Sequence, residues 1–69
     1  MIFKQDDPVV IHSLGPQYGD KEFDGKIVGI SVDWGEESGA TIWIVECPEL
    51  AAQLGFTHVT MPQGCLRKA

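Results

Sequence analysis

The sequence predicts a small all-β fold, a five-stranded barrel with one short helical turn, and three observations carry that prediction. Two alternating runs rich in β-branched and aromatic residues, 25–34 and 40–47, flank the glycine-bounded turn Gly35-Glu36-Glu37-Ser38-Gly39, which is the pattern of a β-hairpin. Three further short runs, 9–14, 56–61 and 65–68, are set apart by Gly-Pro, Cys-Pro and Pro-Gln-Gly punctuation. The chain has 69 residues, enough for one domain over 1–69, with 1–7 as an N-terminal extension.

In chain order, Asp7-Pro8 opens the first strand, with Val9 and Ile11 on one face and Val10, His12 and Leu14 on the other. Gly15-Pro16 ends it, and residues 17–24 form a polar loop holding Tyr18 and Phe23. Asp24-Gly25 then turns the chain into the hairpin. On its first strand Val28, Ile30, Val32 and Trp34 share a face, with Ile27, Gly29, Ser31 and Asp33 behind them. With all five turn residues in the loop, Trp34 stands opposite Ala40, Val32 opposite Ile42, Ile30 opposite Ile44 and Val28 opposite Glu46. That register puts Val28, Ile30, Val32, Ile42, Ile44 and Leu66 in the core, and a slip of one residue would exchange the faces. It also leaves Thr41, Trp43 and Val45 together on the outer face, beside the small residues Gly29 and Ser31.

Cys47-Pro48 closes the hairpin, because proline cannot donate to a ladder. Residues 49–54 then read as a helical turn or two, with Gly55 at the C-cap and with Leu50 and Leu54 leaning on the barrel. In the next strand Thr57, Val59 and Met61 share one face and Phe56, His58 and Thr60 the other; Pro62-Gln63-Gly64 turns the chain into the last strand. Five short strands with a long first loop and a tight proline turn before the last match an SH3-like barrel. An OB-type barrel is the rival.

Ten acidic residues against five basic ones give a net charge of −5. Nucleic acid is therefore disfavoured as a partner, since phosphate contacts need a basic patch. No run approaches the roughly 20 apolar residues of a membrane helix, and the charged start 4–7 lacks the apolar core of a signal peptide. Two cysteines are too few for a disulfide scaffold. These features point to a cytoplasmic chain with no membrane partner. Cys47, Cys65, His12 and His58 supply ligand atoms for zinc but show no paired spacing, and each reads more simply as an ordinary strand residue. No cofactor and no metal are expected.

Some segments resemble the small trimethoprim-resistant dihydrofolate reductases of plasmids and integrons. An acidic residue precedes a first strand at Asp7, Gly25-Lys26-Ile27-Val28-Gly29 is similar to that family's glycine-glutamine-isoleucine-valine-glycine, and Met61-Pro62 with Leu66-Arg67 matches its tyrosine-proline turn and the leucine of its last strand. The resemblance implies an SH3-like architecture, oligomerisation and a mobile-element origin such as an integron cassette. It does not carry the activity over. Where that family lines its pore with valine-glutamine-isoleucine-tyrosine, this chain has His58-Val59-Thr60-Met61.

Two surfaces stand out. The acidic residues Asp20, Glu22, Asp24, Glu36 and Glu37 fall on the two loops that border one groove in such barrels. They read either as a solvated rim or as a site that attracts a basic peptide or cationic small molecule. Thr41, Trp43 and Val45, if outward, would form a self-association surface. The functional expectation is a non-enzymatic oligomeric interaction or small-molecule-binding module. The alternative is a small enzyme with its active site formed between subunits.

Overall fold

The structure, a computed structural model, describes residues 3–34, 40–56 and 58–69. It is an all-β SH3-like barrel: one five-stranded antiparallel sheet, a single α-helix and short 3₁₀ turns. The strands are β1 (Pro8–Ile11), β2 (Phe23–Val32), β3 (Ile42–Glu46), β4 (Val59–Pro62) and β5 (Leu66–Lys68), in the sheet order β4-β3-β2-β1-β5. Helix α1 (Pro48–Leu54) joins β3 to β4. The turn 35–39 and Thr57 lie outside the described residues.

β2 is long because it serves both halves of the sheet. Residues 23–26 pair with β1, and residues 26–32 pair with β3. The two ends of the sheet are drawn together by the 3₁₀ turn Gln63–Cys65. Gln63 donates its N–H to the Thr41 carbonyl beside β3 (2.9 Å), and the Cys65 carbonyl accepts the His12 N–H just past β1 (2.8 Å).

The β2–β3 register departs from regular alternation. Val32 pairs with Ile42, as the alternation pattern gives. The next partners are Ile30 with Trp43, Gly29 with Ile44, Ile27 with Val45 and Lys26 with Glu46. Ser31 and Val28 are therefore extra residues, two β-bulges in one strand. Each bulge exchanges the faces of β2. The inward residues are Phe23 and Ile27 before the first bulge and Ile30 between the two, while Val32 emerges outward at 40% exposure.

The core expected from regular alternation is corrected accordingly. Leu66 is buried and Ile30 packs against the core, but Val28, Ile42 and Ile44 are only half-buried and Val32 is exposed. The inner face of β3 is the one carrying Thr41, Trp43, Val45 and Cys47, all buried, with Trp43 at 1% exposure. Charge explains the choice. The even face of β3 ends in Glu46, and the even positions of β2 include Asp24 and Lys26. The odd faces hold Phe23, Gly25 and Ile27 against Trp43, Val45 and Cys47, with no charge to desolvate.

The rest of the core is assembled on Trp43. Val9 and Ile11 of β1, Val59 of β4 and Leu66 of β5 close around it, and Met61 packs at the margin. Residues 3–7 are no loose extension. Phe3 is buried and meets Trp43 edge-to-face, ring centroids 5.2 Å apart and planes at 86°. The segment is tied down by two hydrogen bonds: the Asp6 N–H donates to the Ile27 carbonyl (2.8 Å), and the Ile27 N–H to the Asp7 carbonyl (3.0 Å). Helix α1 starts with Pro48 in its first turn, buries Leu50 and Ala51, and stops at Gly55 in a left-handed C-cap (φ 79°). Leu54 stays exposed, and so does Phe56, which precedes β4 rather than starting it.

Gly25 is fixed by space. A Cβ there would lie 2.7 Å from Val45 Cγ1 and 3.1 Å from the Glu46 carbonyl oxygen. Val45 is fully buried and cannot swing away without disturbing the core. Gly25→Ala should therefore lower stability by on the order of 1–3 kcal/mol, as overpacking does. Urea unfolding of both forms measures it, and an unchanged midpoint would show that β2 and β3 are not in this close contact.

Candidate functional site

The expected acidic site divides once the chain is folded. Asp20, Glu22 and Asp24 are exposed; Glu36 and Glu37 lie outside the described residues. Glu22 is already engaged. Arg67 of β5 donates two hydrogen bonds to its carboxylate, Nη1 to Oε2 at 2.9 Å and Nη2 to Oε1 at 2.6 Å. Lys21, between Asp20 and Glu22, is ion-paired with Glu49 of α1 and lies 4.9 Å from the centroid of the Phe23 ring. Cations are thus interleaved with the acids of the first loop, which narrows the case for an anionic groove there.

The expected association surface is corrected outright. Thr41, Trp43 and Val45 are interior residues of the barrel, on the face of β3 whose residues Trp43 and Val45 pair with the inward Ile30 and Ile27 of the bulged β2. Cys47 is buried and Cys65 half-buried, both as free thiols. His12 shares a hydrogen bond with the Ser13 hydroxyl, and His58 sits 3.9 Å from Glu46. Among the described residues, no cluster of three or more His, Cys, Asp or Glu side chains could hold a metal. None of the described helices is long and apolar enough to cross a membrane.

What the fold does create is an apolar cleft of about 540 Å³ between residues 3–5 and the bulged part of β2. Phe3, Ile27, Val28, Gly29, Ile30 and Trp43 line it, with Lys4 and Gln5 at the rim. A tight turn holds the outer wall. The Asp7 N–H donates to the Lys4 carbonyl (3.0 Å), the Lys4 N–H donates to Asp7 Oδ2 (3.0 Å), and Asp6 takes the left-handed conformation (φ 70°) that the third position of such a turn demands. The inner wall is the β2 edge that faces away from β3. β1 pairing ends at Lys26, and the Asp6–Ile27 and Asp7–Ile27 bonds extend it by one residue. Beyond Ile27 that edge has no strand partner among the described residues.

Gly29 lines the cleft with backbone alone, and a Cβ there would meet nothing within 4 Å. A smaller hollow of about 330 Å³ lies beside β4, lined by Leu54, Phe56, His58, Val59, Thr60 and Met61. Its lip is Phe56, 67% exposed and outside any regular element. The cleft at β2 is the better-built site, because Phe3 and Trp43 in it are locked by the core.

Sequence reasoning passed over this cleft for two reasons. Residues 1–7 read as an extension, and a bulge has no signature in a binary pattern beyond a glycine inside a strand, here Gly29. No protein-family model, curated protein or solved structure matches the chain.

The Glu22–Arg67 pair has a titration consequence. The Arg67 hydrogen bonds hold the Glu22 carboxyl below the ordinary glutamate value, and Glu22 in turn raises Arg67. A carboxyl depressed on folding contributes stability at pH above its unfolded value and loses it as pH falls through the folded one. Both groups are exposed, so the contribution is small. Carbon-detected NMR titration should place the Glu22 midpoint below about 4.3, and Arg67→Gln should return it there. An ordinary midpoint in the wild type would show that the pair does not persist in solution.

Proposed function

We propose that this chain is a small-molecule-binding module, non-enzymatic, whose site is the cleft between residues 3–5 and β2. The observation that carries the reading is the cleft itself. Its walls are apolar and pre-formed, its volume of about 540 Å³ lies within the range of ligand pockets, and it pairs a hydrophobic floor with a polar rim. The floor is rigid because Trp43 and Phe3 belong to the core. Binding would therefore cost little ordering of the protein, which favours affinity.

Self-association is a second reading, on a different surface from the one first expected. Trp34, 65% exposed, follows Val32 at the end of β2, and Val32 pairs with the outward, half-buried Ile42. Exposed apolar groups gathered in this way mark contact surfaces. A second copy presenting the same patch would cover it by two-fold symmetry.

One set of spectra tests both readings. Indole, a neutral apolar probe, should shift the amides of Lys4, Gly29 and Ile30 in a saturable way. Indole that shifts only residues around Phe56, or none at about 1 mM, a concentration that reveals even weak binding, contradicts the binding module. Linewidths that grow with protein concentration and sharpen in Trp34→Ala support association; linewidths independent of concentration exclude it.

A further inference from the structure

We infer that the cleft takes a small apolar carboxylate, its aromatic or branched body on Phe3 and Trp43 and its carboxylate against Lys4. This rests on the reading of the cleft as a ligand site and adds the ligand's class. The floor sets the body. Phe3 and Trp43 meet edge-to-face at 5.2 Å, and Ile27 and Ile30 flank them, so the surface on offer is aromatic and aliphatic.

The rim sets the charge. Among the described residues Lys21 holds Glu49, Lys26 stands 3.7 Å from Asp6, and Arg67 holds Glu22. Lys4, at the mouth of the cleft, has no ion pair among the described residues. The two nearest carboxylates in sequence are otherwise engaged: Asp6 faces Lys26, and Asp7 accepts the backbone N–H of Lys4. A cation beside an apolar cleft attracts an anion to that place, and the remaining base, Lys68 of β5, does not line the cleft. Gln5, next along the rim, adds an amide donor that a carboxylate can also use.

The strand edge sets the size. A β-edge without a strand partner among the described residues, beside an apolar pocket, could in principle accept an added peptide strand. Here the bulges at Val28 and Ser31 interrupt the edge, and bulges blunt edges against strand addition. A compact molecule fits where a strand would lose its ladder.

The test compares three isosteric probes, 3-phenylpropanoate, 3-phenylpropanamide and 3-phenylpropylammonium, by amide-shift titration of the full chain at low salt. The carboxylate should bind roughly two- to fivefold more tightly than the amide, the range expected for one exposed ion pair, and the ammonium more weakly than the amide. Lys4→Gln should bring carboxylate and amide to the same affinity, and added salt should do the same. Lys4 is exposed, so that variant should keep the wild-type thermal midpoint. If the amide shifts Gly29 and Ile30 but the carboxylate binds no more tightly, or keeps its advantage in Lys4→Gln, the ligand class is wrong and the cleft stands as a site. If none of the three probes shifts those amides, the cleft is not a ligand site, and both readings fall.

Discussion

Burying Trp43 is the constraint on which the rest of this structure depends. A side chain of its size removes on the order of 200 Å² from water, one of the largest single terms open to a chain this short. A domain of about 60 residues buries only some 60% of its unfolded surface. It has little reserve with which to leave a tryptophan outside. Yet Trp43 can face inward only if β3 turns its odd positions to the core, which puts Ile42 and Ile44 on the outside. β2 follows by breaking its own alternation twice, at Val28 and at Ser31. The bulges also let one strand belong to both halves of the sheet, since a bulge bends its strand and increases the local twist. Register, curvature and core composition thus have one common cause.

The architecture is legible in the chain's punctuation; the orientation of its central strands is not legible in its apolar alternation. Cys47-Pro48 and Pro62-Gln63-Gly64 each end or turn an element in the folded chain, and Gly55 caps α1 as its position demands; Gly15-Pro16 instead opens the 3₁₀ turn Pro16–Tyr18, β1 having ended at Ile11. The strand pattern was harder, because residues 41–47 are apolar on both sides and binary periodicity cannot choose between faces. A usable signal was present one step away. Asp24, Lys26 and Glu46 all occupy even positions, so the charge pattern favours the odd face as the inward one. Bulges have a weaker signal, the glycine inside β2 at Gly29. Nothing in Val28 or Ser31 marks either as the residue left over in a ladder.

The candidate site was less legible than the fold, for the same physical reason. The cleft exists because β1 pairing stops one residue past Lys26 while β2 continues, and because Phe3 reaches Trp43 from a segment that looks dispensable in the sequence. Both facts are tertiary. The acidic residues, by contrast, were conspicuous, but Arg67 reaches Glu22 from the other end of the chain and Lys21 reaches Glu49 of α1. Charges that look like a cluster in one dimension acquire partners in three. Core and cleft share Trp43 and Phe3, so a ligand of the proposed site would stabilise the folded state by mass action.

The environment of Trp43 tests this picture most directly, and the protein's other tryptophan, the exposed Trp34, is easily removed. In Trp34→Phe, all indole fluorescence comes from Trp43. Burial predicts a blue-shifted emission maximum and little quenching by iodide until the chain unfolds, whereas in Trp43→Phe the remaining Trp34 should emit as a solvated indole and quench freely. Emission from Trp43 at the solvated wavelength in a folded protein, with ready quenching, would put the odd face of β3 outside and contradict the bulged register, the core and the cleft together.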